Sequence, residues 1–158
     1  MNPLDTTTET KAHKTCDTDA LNSLLRGELS AIETYEQALE KFKGHVASLE
    51  LIKIRDEHRN SATTLSAQIS SHGGKPSDKS GPWGTFAQAV TGAAKLLGPE
   101  TALTALKQGE EHGIHDYKSA LDNQAIAEEC RMIIKTSLLP RCREHVSTLE
   151  KLTATQSA

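Results

Sequence analysis

Apolar residues recur along this chain at helical rather than strand spacing, and they do so in four blocks. Leu21, Leu24, Ile32, Leu39 and Phe42 mark one stripe, which predicts a helix that starts near Thr18 or Asp19, either of which could cap it. Gly44 is its stop. Leu51, Ile54, Ala62, Leu65 and Ile69 mark a second stripe, from about His45 to Ser71. The run His72-Gly73-Gly74-Lys75-Pro76 ends that hairpin and opens a crossover, residues 72–98, of which 72–84 are rich in Gly, Ser and Pro. The crossover is expected to hold a short extra helix, about 85–97, fastened to the rest by Trp83 and Phe86. Gly98-Pro99 introduces a third helix that ends at Asp122. The fourth helix runs from about Ile126 to Leu152 and should kink, or carry a local irregularity, at Pro140. Residues 1–16, polar and Thr-rich, read as a disordered N-terminal tail.

The expected fold is therefore all-α. Residues 17–153 form a single four-helix bundle of two αα-hairpins, 18–71 and 99–153, joined by the long crossover.

The hairpins repeat one another in the letters. At one constant offset Leu21 recurs as Leu103, Leu24 as Leu106, Gly27 as Gly109, Glu28 as Glu110, Ile32 as Ile114, Tyr35 as Tyr117 and Leu39 as Leu121. A shared core explains the apolar matches, but it does not demand a Glu and a Tyr twice on the same face. At a somewhat larger offset Leu51 recurs as Leu138, Glu57 as Glu144, His58 as His145 and Leu65 as Leu152. Duplication is the economical reading, with a second hairpin loop a few residues longer than the first.

Four polar residues fall on apolar stripes. Glu28 and Glu110 belong on the inward faces of the first and third helices, His58 and His145 on those of the second and fourth. In an antiparallel hairpin Glu28 and His58 share a level, so two Glu and two His converge near mid-bundle. Tyr35 and Tyr117 lie about two turns from the glutamates on the same faces. Carboxylate and imidazole donors suit Fe, Zn or Mn. The other reading is a satisfied buried network, with Glu28 paired to Arg55 or His58 and Glu110 hydrogen-bonded to His145 or Tyr117.

With these residues the chain resembles the ferritin and rubrerythrin superfamily of four-helix bundles. The segments GELSAIETYEQAL and GEEHGIHDY are similar to an uncharacterised bacterial family of ferritin-like domains of unknown function. The superfamily's active members bind two irons through a Glu on each of two helices and a Glu-x-x-His on each of the other two. Here the residues three before His58 and His145 are Arg55 and Cys142. Two of four carboxylates are gone, and Arg55 puts a permanent charge where a metal would sit. Glu57 and Glu144 adjoin the histidines but point about 100° away from them. The resemblance thus implies a degenerate di-iron site in a non-enzymatic bundle, with the stress-related role of related bacterial proteins. The alternatives are a metal-binding or oxidoreductase protein using Glu28, His58, Glu110 and His145, and a self-associating interaction module.

Other features narrow the field. A net charge of −3 and a pI near 6.2 argue for neither a nucleic-acid nor a membrane partner, and a homo-oligomer is the one partner expected. Residues 1–17 lack the apolar segment of a signal peptide. Cys16, Cys130 and Cys142 are too few and too irregularly spaced for a disulfide framework, which points to the cytoplasm. Arg141 and Arg143 flank Cys142 and could lower its pKa, although an inward helical Cys is more often a core residue. His112 and His115 flank the inward face and are expected at the surface. No P-loop, dinucleotide glycine motif, nucleophile elbow or zinc-finger spacing is present.

Overall fold

The computed structural model of the protein describes residues 15–83 and 98–156, with only the backbone for Trp83. The predicted tail up to residue 14, the short helix about 85–97 and the anchoring side chains of Trp83 and Phe86 lie outside the described residues. Within them the chain is all-helical, without a strand. Helices α1 (Thr18–Lys41) and α2 (Ser48–Ser71) form the first hairpin, and α3 (Pro99–Asp122) begins the second. The fourth helix is continuous in backbone conformation but has three parts: α4 (Glu128–Ile133), a π-turn (Ile134–Leu138) and α5 (Leu139–Gln156).

The boundaries follow local chemistry. The cap of α1 is Asp17, just ahead of both candidates, Thr18 and Asp19: its Oδ1 accepts from Ala20 N at 2.9 Å, which satisfies one of the helix's free N–H groups. That bond, with one from Asn123, holds the Asp17 carboxyl below its ordinary value. α2 begins at Ser48 rather than near His45, because His45 Nδ1 accepts from Ala47 N at 3.1 Å and Ser48 Oγ donates to the Phe42 carbonyl. These bonds keep residues 42–47 as a closed loop with Phe42 and Ala47 buried. Gly98, at φ 86°, supplies the left-handed turn into Pro99.

Pro140 produces the expected irregularity. Lacking an N–H, it leaves the ladder one bond short, and the helix widens just before it, with Leu139 N reaching back to Ile134 O. The second hairpin loop, residues 123–127, is not longer than the first, residues 42–47. This corrects the sequence expectation. The offset between the repeats is taken up inside the fourth helix, which carries the π-turn and starts further ahead of Leu138 than α2 starts ahead of Leu51.

Two apolar clusters fill the bundle, one toward each end. Leu21, Leu25, Leu65, Ile69, Ile126 and Ile134 belong to one. Phe42, Leu51, Ile54, Leu103, Leu106 and Leu149 belong to the other. Leu21 and Leu24 pack with Tyr117 and Ala120, while Ala38 and Phe42 pack with Ala102 and Leu103. α1 and α3 are therefore antiparallel neighbours. The start of the crossover is tied to α1 through Asn22, which donates to Lys75 O at 2.9 Å and accepts from Ser77 N at 2.8 Å. No helix among the described residues is long and apolar enough to cross a membrane.

Candidate functional site

Between the two apolar clusters lies a polar layer. Glu28, His58, Glu110 and His145 are all buried, at 2–5% exposure, and they are in mutual contact. His58 stands with Nδ1 2.7 Å from Glu28 Oε2 and Nε2 2.8 Å from Glu110 Oε1. Tyr35 donates to Glu110 Oε1 at 2.6 Å, and Tyr117 donates to Glu28 Oε1. His145 stands with Nδ1 3.1 Å from Glu110 Oε2 and Nε2 2.7 Å from Glu57 Oε2. The two imidazole rings tilt against one another with centroids 4.8 Å apart.

The sequence placed these residues at one level, and the structure gives them specific partners. Each tyrosine bonds the glutamate of the other repeat, not of its own. The reason is geometric: the Glu-to-Tyr separation is the same in both repeats, and antiparallel packing of α1 on α3 sets each tyrosine opposite the other helix's glutamate. Glu57 also reaches the layer, against the expectation that a residue adjacent to His58 points elsewhere. It does turn away from its own histidine, but that direction faces the fourth helix and His145. Its repeat partner Glu144 is exposed.

Arg55 is not at the centre, and the expectation that its charge occupies a metal's place is corrected. Its Nε and Nη2 both bond Asp56 Oδ1, at 3.0 and 2.9 Å, and Asp56 is half-exposed. A surface carboxylate next door holds the guanidinium more cheaply than a buried one would. Cys142 is buried beside Glu110. Burial, with the charges of Glu110 and Glu28, pushes its thiol far above the usual range, opposite to the lowering its flanking arginines suggested. Arg141 is spent on Ser61 Oγ at 2.9 Å. His112 and His115 are exposed, His112 beside Asp116.

The layer's electrostatics follow from its contacts. Burial alone would lower the His58 pKa, but the charges and hydrogen bonds of Glu110 and Glu28 outweigh it and raise the value to about 10. For Glu110, burial would raise the pKa, yet the His58 charge and the bonds from His145 and His58 hold it well below the ordinary carboxylate value. Tyr35 and Tyr117 are held neutral, first by burial and then by the adjacent carboxylates.

Two openings approach the layer. One, a cavity of about 90 Å³, lies between α1 and α3 and is lined by Gly27, Ala31, Gly109 and Gly113 on its way to Glu28 and Glu110. The other, about 250 Å³, lies between α2 and α5 and is lined by Glu57 and the buried His145 alongside Lys53 and Lys151. Among the described residues a second group of metal-type donors exists. Cys16, His72 and Cys130, from three separate segments, offer donor atoms within 4.8 Å of one another. Nothing in their spacing announced this, because only the packing of the hairpins brings them together.

Neither the curated proteins nor the solved structures hold a match to the chain. A family model does match, over residues 17–123, a span that carries Glu28, His58 and Glu110 and stops short of His145. The polar layer, with its Glu/His donors able to hold a metal, thus sits in a chain that belongs to the family described as Domain of unknown function (DUF2383).

Proposed function

We propose that this chain is a ferritin-like bundle, built by hairpin duplication, that has no enzymatic activity and in which a chain of charged side chains replaces the superfamily's di-iron site. One observation carries this: both ring nitrogens of His58 lie within 2.8 Å of a carboxylate oxygen, one of Glu28 and one of Glu110. A neutral imidazole has a single N–H and could satisfy only one of them. With its pKa raised to about 10 by these carboxylates, we read His58 as an imidazolium, with no ring lone pair left for a metal and its charge between the two carboxylates as a metal's would be. The loss of both Glu-x-x-His carboxylates, to Arg55 and Cys142, points the same way.

A mononuclear Fe, Zn or Mn site at Glu28, His58, Glu110 and His145 is the second reading. It is favoured by donor atoms of His58, Glu110 and His145 that lie within 4.8 Å of one another.

The test is elemental analysis of protein purified without a metal-affinity tag, after incubation with Fe(II), Mn(II) and Zn(II). Wild type is compared with His58→Gln and with Cys16→Ser, at a less buried position. The proposal expects no metal that depends on His58. Near-stoichiometric metal lost in His58→Gln but kept in Cys16→Ser would replace it with the second reading.

A further inference from the structure

We propose that Cys16, His72 and Cys130 form a structural zinc site that clasps both ends of the first hairpin to the start of the fourth helix. Cys16 immediately precedes the α1 cap, His72 caps the C-terminus of α2, and Cys130 lies in α4. Their donor atoms already stand within 4.8 Å of one another. Tetrahedral zinc, with bonds of about 2.3 Å to sulfur and about 2.0 Å to nitrogen, needs neighbouring donors about 3.6 Å apart, so a small inward adjustment closes the site.

Two observations, the first and the third, point to a cation there, and the second shows that the frame around it is set. The Nε2 atom of His72 is buried and has no hydrogen-bond partner. Glu129 Oε1 lies 3.1 Å from it but out of line for a hydrogen bond, which leaves a carboxylate as an oxygen donor for a fourth position. Second, the surrounding backbone is already fixed. Asp17 N donates to Ala125 O at 2.8 Å, Asn123 Nδ2 donates to Asp17 Oδ2 at 3.0 Å, and Ala127 N donates to Cys16 Sγ at 3.3 Å. Third, His72 is at a helix C-terminus, where the dipole favours positive charge. Two thiolates and an imidazole are a soft donor set that selects zinc over magnesium, calcium or manganese. Two thiolates also balance the charge of Zn²⁺. This site is separate from the central layer: it shares no residue with it and lies at the Leu21–Ile69–Ile126 end of the bundle.

The experiment uses the full chain, reduced, freed of metal and titrated with Co²⁺ and then Zn²⁺. The expected result is one cobalt per chain with a sulfur-to-cobalt charge-transfer band, displaced by zinc. In Cys16→Ser the band disappears and zinc affinity falls by more than about 100-fold, beyond the cost of losing an outer partner. Cys130 is deeply buried and a serine hydroxyl there costs stability of its own, so His72→Gln, at a less buried position, is the second variant, and circular dichroism checks both. Glu28→Gln keeps the band, which separates this site from the central one. Absence of cobalt binding, binding that survives Cys16→Ser and His72→Gln, or a Cys16–Cys130 disulfide formed in air instead of a metal complex would each overturn the proposal.

Discussion

If His58 is a cation between Glu28 and Glu110, the protein must lose stability as pH rises through the neutral range. The His58 pKa is raised from 6.5 to about 10 on folding. A raised value contributes stability that is fully present below the unfolded value and is lost on the way up to the folded one. Each pH unit in that interval costs at most about 1.36 kcal/mol. Burial pushes the Cys130 thiol up to about 12 and that of Cys142 higher still, so above the ordinary thiol value of about 8.5 these groups add losses of their own. The clean window is therefore from about pH 6 to about pH 8.5, where the His58 contribution falls by roughly 2–3 kcal/mol. Glu110 has the opposite sign. Its pKa is depressed from 4.5, so its contribution is present above that value and lost as pH falls. The two effects share one contact and are not summed, and together they place the stability maximum between pH 4.5 and 6.5. The assay is urea unfolding of chelator-treated protein across the window, with His58→Gln as the reference that should lack the slope. Where that variant is too unstable to measure, the ring proton shifts of His58 read its charge directly by NMR. A flat stability profile together with a neutral His58 at pH 7.5 would refute the cation, and with it the reading of the central layer.

Three further changes probe the same architecture. Tyr117→Phe removes the hydroxyl that donates to Glu28 and leaves a buried carboxylate oxygen short of a partner, so unfolding free energy should drop by about 1.5–3 kcal/mol; a loss below measurement error in denaturant titration would show that Glu28 does not depend on it. Gly27→Ala should raise stability by about 1 kcal/mol, because a Cβ built at this interior position of α1 meets nothing within 4 Å; a lowered thermal midpoint would mean that the cleft beside it has an occupant. Glu57→Gln should destabilise the fold measurably, because Glu57 Oε2 is 2.7 Å from His145 Nε2, whereas Glu144→Gln at the exposed equivalent position should change it by less than about 0.5 kcal/mol. Equal effects of these two on denaturation midpoints would contradict the asymmetric layer.

The helices were legible because their signals are local. Apolar spacing, Gly98-Pro99 and the His72-Gly73 stop each act within a turn or two of the residues that carry them, and these boundaries match the structure within a few residues. Errors arose where a local rule met a competing partner. Asp17 rather than Thr18 or Asp19 caps α1, because Asn123, distant in sequence, also holds its carboxylate. Arg55 left the centre because Asp56, adjacent in the chain, offered a solvated partner. The convergence of Glu28, His58, Glu110 and His145 was legible from two hairpins of equal design. The Cys16, His72 and Cys130 group was not, since no periodicity relates residues in a pre-helix segment, a helix cap and a helix of the other hairpin.

The crossed tyrosines carry the deeper lesson about this layer. A glutamate and a tyrosine repeated at one spacing look like two copies of a local pair, and within either copy they stay about two turns apart. The pairs exist only when antiparallel helices exchange partners, so each hairpin alone holds a buried glutamate without its hydroxyl donor. Symmetry then fails at the histidines. His58 spans both glutamates, while His145 takes only Glu110 and turns its other nitrogen to Glu57, which is partly exposed. The result is an alternating series, Glu28, His58, Glu110, His145, Glu57, that begins at the buried Glu28 and ends at the partly exposed Glu57. Two symmetric histidines would each need both central glutamates, crowding four imidazole nitrogens onto carboxylates that already accept from two tyrosines. Turning one histidine outward relieves that crowding and leaves no buried side-chain polar atom of Glu28, His58, Glu110 or His145 without a partner.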